Sequence, residues 1–444
     1  MRAREVTRRS AIGLMGASAA GLVLFGPRAG DDVPSGRLVL NYWEKWTGFE
    51  GLAMRELVDE FNRTQDRLFV RYLAVNSINH KAMIAIAGGS PPDVIGLWSF
   101  NLPAYAEAGA LLPLDELAAS AGLTPDRWIE SVRPLLRHEG RQWAMMTTCG
   151  SLALYINLDV LESAGVDLAV TPRTVSELDD LNDRVTLSSR RGPIRRMGFL
   201  HTEPGWWSWM WGYQFGGRLL DESGHPTATD ERNTDAYDWV RSYPDRFGAE
   251  QLLSFQSGNG FYGTAQNAFL RGRVASVVQG PWLANLIEVY APELRYRVVP
   301  VPVAEAVYDP DAPVSLFDGD VVVIPRGAAH PEASFEFITW LQDRTRLERL
   351  ALAHRKNTPL RRASAGFFER HPNRSIRVHR RLASSPRAFG VPRTRVWPRY
   401  EAEFDASLQS LWIGRLSAEE MLARVQTAIE QETELARART GARA

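Results

Sequence analysis

Four tryptophans crowd the run Glu203-Pro204-Gly205-Trp206-Trp207-Ser208-Trp209-Met210-Trp211, and no single buried face can absorb that many indoles. Read as a helix, the run puts Trp207 and Trp211 on one side at i, i+4 and Trp206 and Trp209 on another at i, i+3. At least one pair is then expected to leave the core. An indole at a cleft wall offers a flat, rigid face on which the C–H faces of a pyranose ring stack with little entropy loss. Glu203 beside it supplies an acceptor for hydroxyl groups. The alternative is that all four fill a helix interface, but the cluster with a carboxylate at its edge favours a ligand wall.

At 444 residues the chain exceeds one ordinary core and suits two domains or two large lobes. An apolar content of 45% with 23% charge is globular. Lys+Arg 52 balances Asp+Glu 52, so no overall field attracts nucleic acid or an acidic membrane. Lysine occurs only at Lys45, Lys81 and Lys356, which reads as a compositional habit without mechanistic content. The single Cys149 excludes an internal disulfide and a multi-cysteine metal site, and with no nearby histidine it reads as a small core or cleft-lining residue.

Thr7-Arg8-Arg9-Ser10-Ala11-Ile12 places paired arginines ahead of an apolar stretch over 11–25 that is short for a membrane span. Residues 1–36 therefore read as a twin-arginine-type export signal, to be set aside from fold reasoning. No cysteine follows for lipid anchoring, and the cleavage site is open, since 27–29 is not a clean small-x-small pattern. The expected location is outside the inner membrane, free in the periplasm or at the cell surface, or tethered by an uncleaved leader.

Strand-like runs at 37–43, 68–75, 93–97, 152–157, 274–278 and 321–324 alternate with helical ones. The helices are expected at 51–63 (apolar face Leu52, Leu57, Val58, Phe61), 78–87, 160–164, from Ser176 as cap, 332–341 opened by Pro331, and 418–436. This order predicts α/β layering with parallel pairing. The Arg-, Pro- and Ser-rich stretch 361–399 reads as an exposed loop region.

Several short blocks recur in order along the chain. They include Gly89-Ser90-Pro91-Pro92-Asp93-Val94, Ala108-Gly109-Ala110-Leu111-Leu112-Pro113-Leu114, Tyr155-Ile156-Asn157, Ala268-Phe269-Leu270-Arg271-Gly272-Arg273-Val274-Ala275 and Gly280-Pro281-Trp282. The series from about 38 to 432 resembles the extracellular solute-binding proteins of sugar-importing ABC transporters, the group that includes maltose-binding protein. The resemblance implies an α/β, two-lobed, periplasmic-binding-protein-like (type II) fold with hinge segments and a central ligand cleft. It places the first lobe at 37–150 plus about 298–343 and the second at 151–297 plus about 344–444.

The resemblance also implies site residues. Trp282 matches a sugar-stacking tryptophan, and Glu203, Trp206 and Trp207 match a Glu-Pro-aromatic cleft segment. Trp43, Glu44 and Trp46 fall in a loop that hydrogen-bonds hydroxyls, and Trp98 and Asn101 follow a strand where relatives place further contacts. Thr148 lies where the first crossing meets the cleft, Asp318 precedes a strand near it, and Trp397 falls near a carboxyl-terminal stacking aromatic. Core packing for Trp43 and turn chemistry for Asp318 remain open readings.

The function implied is a non-enzymatic, monomeric binding protein. It takes a carbohydrate, a mono- or oligosaccharide, and delivers it to a membrane permease, with no cofactor, metal or nucleic acid. The rival is an exported glycoside hydrolase, for which Glu44 and Glu203 are the carboxylates left by exclusion. A binding protein for a phosphorylated polyol or a peptide is the other alternative, and an anionic cargo would require convergent arginines in the cleft. His201 and His225 stand alone, with no metal-ligand spacing.

Overall fold

The structure is a computed structural model describing residues 34–188 and 193–441. The twin-arginine motif and its apolar stretch lie outside the described residues. β1 (Leu38–Glu44), α1 (Gly48–Thr64), β2 (Leu68–Ala74), α2 (Ile78–Ala87) and β3 (Val94–Trp98) alternate at the start, and β4 (Met145–Ser151) and β5 (Ala153–Asn157) follow. Next come α3 (Val175–Val185), β6 (Met197–Phe199), α4 (Glu231–Phe247), β7 (Val274–Gln279), α5 (Leu283–Tyr290) and β8 (Tyr296–Val299). The last part contains β9 (Ser315–Val323), α6 (Pro331–Leu341), α7 (Arg344–Ala353), α8 (Ile376–Ala383), β10 (Ala388–Phe389), α9 (Trp397–Trp412) and α10 (Ala418–Gly441).

Two sheets divide these strands. The first runs β10-β9-β3-β1-β2, with β4 on the other side of β9; the second runs β8-β5-β7-β6. Pairing is parallel in β2-β1-β3 and β6-β7, as the alternating order predicts, and also between β9 and β10; it is antiparallel where β9 meets β3 and β4 and where β5 pairs with β7 and β8. Those antiparallel partners lie on or beside the segments that pass between the lobes, and no βαβ crossover links them. Each sheet has its own core. Leu40, Tyr42, Ile95 and Val322 belong to the first, and Leu154, Ile156, Val274 and Tyr237 to the second.

Local sequence sets the covering helices. In α1 the buried face is Met54, Leu57, Val58 and Phe61, each fully buried side chain contributing roughly 1.5–3 kcal/mol. Leu52 is 60% exposed, because Met54 takes the place expected for it. Pro331 opens α6 at its first turn, where a missing N–H costs nothing. The cap of α3 is Thr174, two residues before the expected Ser176; its Oγ1 accepts from Glu177 N at 3.3 Å.

The chain crosses between the sheets at Leu152, between β8 and β9, and between α8 and α9. These crossings shift the expected lobe limits. β8 pairs with β5 in the second sheet, so the return to the first lobe follows residue 299. Helix α7 packs Leu347 and Leu350 into the first core, so the last departure follows α8 and does not occur near 344. The stretch 361–399 is not an exposed loop region: it contains α8 and a buried strap through Phe367, His371, Asn373 and His379. His379 bonds Ser151 O at 2.8 Å and Tyr155 Oη at 2.9 Å, which braces the first crossing.

Gly96 in β3 shows how tightly β1 and β3 meet. A Cβ there would lie 2.1 Å from Glu44 Oε2, and that carboxylate is held by Tyr42 Oη and by Lys45 N at 2.7 Å. Gly96→Ala is expected to destabilise the protein by about 1–3 kcal/mol through overpacking, read as a lower urea midpoint with an unchanged slope.

Candidate functional site: an aromatic cleft between the lobes

Where the two sheets face each other the structure holds a cavity of about 440 Å³. One wall comes from the first lobe. Trp46 lies just past the end of β1, Trp98 ends β3, Phe49 is the second residue of α1, and Phe100 stands in the 3-10 turn after β3. Ligands of α/β sheets sit outside the carboxyl ends of the strands, and these positions obey that rule. Trp98 stacks on Phe100 at 5.9 Å with planes 10° apart, and Trp46 meets Trp98 edge-on at 6.0 Å.

The facing wall comes from the second lobe. Trp282 tilts against Trp207 at 6.0 Å, Trp207 meets Trp206 at 5.6 Å, and Trp206 meets Tyr262 at 4.5 Å. Gln279, at the end of β7, orients two of these rings by accepting from Trp282 Nε1 at 3.1 Å and Tyr262 Oη at 3.0 Å. Two glycines let Trp282 lie flat. A Cβ on Gly280 would fall 2.2 Å from its ring, and one on Gly150 would sit 3.0 Å from Pro281 and 3.5 Å from Trp282.

The tryptophan run is not one helix. Gly205 adopts φ +78°, a 3-10 turn covers Ser208–Met210, and only then does a short α-turn begin at Trp211. The indoles therefore divide as Trp206 and Trp207 toward the cleft and Trp209 and Trp211 in the core at 1% and 3% exposure, against the helical pairing expected.

The floor carries charge. Lys356 Nζ lies 2.9 Å from Asp320 Oδ2 and 3.0 Å from Glu50 Oε1, with Trp46 at 4.0 Å and Trp282 at 5.7 Å from the ammonium. Lys45 Nζ lies 3.4 Å from Asp320 Oδ1 and 3.2 Å from Glu44 Oε1, and Thr148 Oγ1 donates to Asp320 Oδ2 at 2.6 Å. Burial alone would raise the Asp320 carboxyl, but Lys356 and Lys45 hold it well below the usual range. Burial would likewise lower Lys356, and Asp320 and Glu50 outweigh it, so the ammonium stays charged. Asp318, two residues away on the same strand, is pushed up to about 7 by burial, although Ser99 Oγ donates to it.

The structure brings Trp46, Trp98, Trp206, Trp207, Trp282 and Asp318 to one cavity. The other expected residues lie elsewhere. Trp43 is inside β1 and packs on the first core, and Glu44 is sealed beneath the floor at 2% exposure. Thr148 is fully buried behind Asp320, and Asn101 ends the 3-10 turn after β3 and is not among the residues lining the cavity. Glu203 faces a separate small pocket and accepts from Asn259 Nδ2 at 3.2 Å, with its carboxyl raised by burial. Trp397 is 2% exposed in the second core, edge-on to Trp209 at 4.9 Å. Lys356, Glu50, Asp320, Tyr262 and Phe49 were missed. Two of the three lysines in the chain meet on Asp320, a convergence that their rarity in the sequence does not disclose.

A larger cavity of about 670 Å³ lies on another flank of the crossings, against Leu135, Tyr213, Asp221 and Phe389. It lacks facing aromatic walls, and Tyr213 and Phe389 there stack on each other at 4.2 Å. Cys149 is core, its thiol pushed up to about 12 by burial. Among the described residues no group of three or more His, Cys, Asp or Glu could hold a metal ion, and no helix is long and apolar enough to cross a membrane.

Residues 50–344 match the family model of the bacterial extracellular solute-binding proteins. The chain belongs to that family. The arabinooligosaccharide-binding protein of Bacillus subtilis is 21% identical over 317 residues, 69% of this chain and 69% of that protein. The maltotriose-binding protein of Pyrococcus abyssi is 20% identical over 307 residues, 69% of this chain and 62% of the relative's length. Among solved structures, CpMnBP1 with mannotriose bound is 26% identical and has a TM-score of 0.78, covering 88% of this chain and 100% of that one. The two-lobed α/β fold of this solute-binding protein is thus shared along nearly its whole described length.

The raised Asp318 has a consequence for stability. Folded, it keeps its proton up to about pH 7, whereas unfolded it loses it near 3.8. Between those values the folded state binds more protons, so this group's contribution falls as pH rises through that window and is flat above it. Asp318→Asn is expected to gain on the parent between pH 4 and pH 8, measured as the difference in urea midpoint at each pH.

Proposed function

We propose that this solute-binding protein captures a neutral carbohydrate between its lobes and delivers it, enclosed, to the membrane permease of an ABC importer. The observation that carries the reading is the pair of aromatic walls, one from each lobe, facing each other across a floor of paired charges. Indole faces suit the apolar faces of a pyranose, and charge-assisted hydrogen bonds from the floor suit its hydroxyls. The ligand would close the lobes by making contacts to both at once. Relatives that bind arabinooligosaccharide and maltotriose support the same class. The family is extracellular, and the paired Arg8-Arg9 before an apolar stretch supports export by the twin-arginine route, with the protein acting as a monomer.

The alternatives fit less well. Among the described residues no arginine lines the cavity, and the one lysine that does is already paired with two carboxylates, which argues against a phosphorylated or anionic peptide cargo. A glycosidase needs two carboxyl groups flanking the scissile bond. Glu44 and Glu203 share no cavity, and the carboxylates that do line one, Glu50, Asp318 and Asp320, all stand on α1 and β9 of the first lobe rather than on facing walls, with Glu50 and Asp320 sharing Lys356.

Trp282→Ala is expected to weaken saccharide binding at least about 30-fold while leaving the unfolding midpoint nearly unchanged. Isothermal titration with a panel of arabino-, malto- and manno-oligosaccharides checks this, and unchanged affinity for every ligand the parent binds would remove Trp282 from the site.

A further inference from the structure

A different cavity, of about 430 Å³, opens on the first lobe. Arg127, Arg344, Arg361 and Arg362 line it, with Asp126 as its one acidic residue, and it shares no lining residue with the aromatic cleft. The backbone fixes these arginines. Ile129 N donates to Pro359 O at 3.0 Å and Arg361 N to Arg127 O at 2.7 Å, so 127–129 and 359–361 run side by side with Trp128 opposite Leu360. From behind, the Arg380 guanidinium donates to Thr358 O, Leu360 O and Arg361 O at 3.2, 2.9 and 2.8 Å. Arg344 comes from another element, as the first residue of α7.

The charge in this cavity is not balanced. Many other arginines of the chain rest on carboxylates, as Arg173 does on Glu177, Arg295 on Asp159 and Arg349 on Glu60, each at 2.6 Å. Among the described residues none of the four arginines here makes an ion pair. Arg127 Nη2 donates to Gln342 O, its guanidinium lies 4.8 Å from the Trp128 ring centroid, and its Nε is buried without a hydrogen-bond partner. Burial pulls this guanidinium below its ordinary pKa, and Asp343 and Asp126 act against that. Both acids are engaged elsewhere: Asp126 accepts from Thr124 Oγ1, and Asp343 accepts from Thr345 N at 3.0 Å and lies 3.8 Å from Arg346.

Like charges gathered without counterions repel, and an anion placed among them turns that repulsion into attraction. The planar fork of a guanidinium matches two oxygens of a phosphate at once, and several forks around one cavity suit a compact group with many oxygens. We infer that Arg127, Arg344, Arg361 and Arg362 form an anion site on the first lobe that takes a phosphoryl group, carried either by a soluble phosphate compound or by a lipid headgroup.

The test compares the full chain with Arg361→Ala/Arg362→Ala, with Arg344→Ala, and with Arg173→Ala/Arg295→Ala, which removes the same charge from exposed ion pairs. Each is titrated calorimetrically with pyrophosphate and sedimented with vesicles of phosphatidylglycerol or of phosphatidylcholine. A urea midpoint for each variant reports its folding. Parent binding is expected to weaken with added salt. It should fall about tenfold or more in Arg361→Ala/Arg362→Ala and about three- to fivefold in Arg344→Ala, and stay within about twofold in Arg173→Ala/Arg295→Ala. That pattern with pyrophosphate alone assigns a soluble phosphate; the same pattern with phosphatidylglycerol vesicles, and none with phosphatidylcholine, assigns a headgroup. A parent that binds neither probe, or losses equal in the site and control pairs, overturns the anion site. Arg344→Ala decides the matter should the Arg361/Arg362 pair fail to fold.

Discussion

The ammonium of Lys356 is the point at which the pieces of the cleft meet. It reaches Asp320 on the strand that completes the first sheet, Glu50 on the first helix, Trp46 on one wall and Trp282 on the other. A buried charge of this kind persists only with its partners in place, since removing one partner of a buried pair typically costs about 3–5 kcal/mol. Asp320 is accordingly held by two lysines and a threonine hydroxyl, and Lys45 is in turn anchored to Glu44. The walls need this arrangement because the indoles alone would leave an oily slot with no preference among apolar guests. The ions supply direction, and the rings supply area.

Placement follows from strand geometry. Side chains within β1 alternate between the faces of the sheet, so Trp43 packs on the core, while Trp46, beyond the strand, is free to turn into the opening. The same separation appears in the second lobe, where a left-handed glycine divides the exposed Trp206 and half-buried Trp207 from the preceding turn and a tight 3-10 coil sends the next two indoles inward. Trp282 lies flat because Gly280 and Gly150 leave no Cβ beneath it. Precision at the site thus depends on backbone positions as much as on the rings they carry.

Much of this was readable in the chain. Alternating strands and helices, Pro331 at a helix start and the ordered short blocks led to the two-lobed fold, and the Gly-Pro-Trp turn led to Trp282. Local order carried those signals. The charged floor was not legible, because Glu50, Asp320 and Lys356 are far apart in sequence and none stands in a motif. Trp397 misled for a related reason: an indole after a Pro-rich stretch looks the same whether it meets a ligand or, as here, Trp209 and Tyr400. Arg- and Ser-rich composition likewise suggested a loop where His379 and Asn373 brace the crossings through buried polar contacts.

β9 pairs with β3 on one side and β4 on the other, and it also carries both aspartates of the floor. A ribosome delivers it long after its neighbours, so the nascent first lobe keeps open strand edges on β3 and β4, and Lys45 has only Glu44 as its ion partner, until Val323 has emerged. Contacts that close such long stretches of chain slow folding and prolong exposure to mispairing. The same strand that joins β3 to β4 and carries the floor's aspartates therefore leaves two complementary edges unpaired for most of the chain's synthesis.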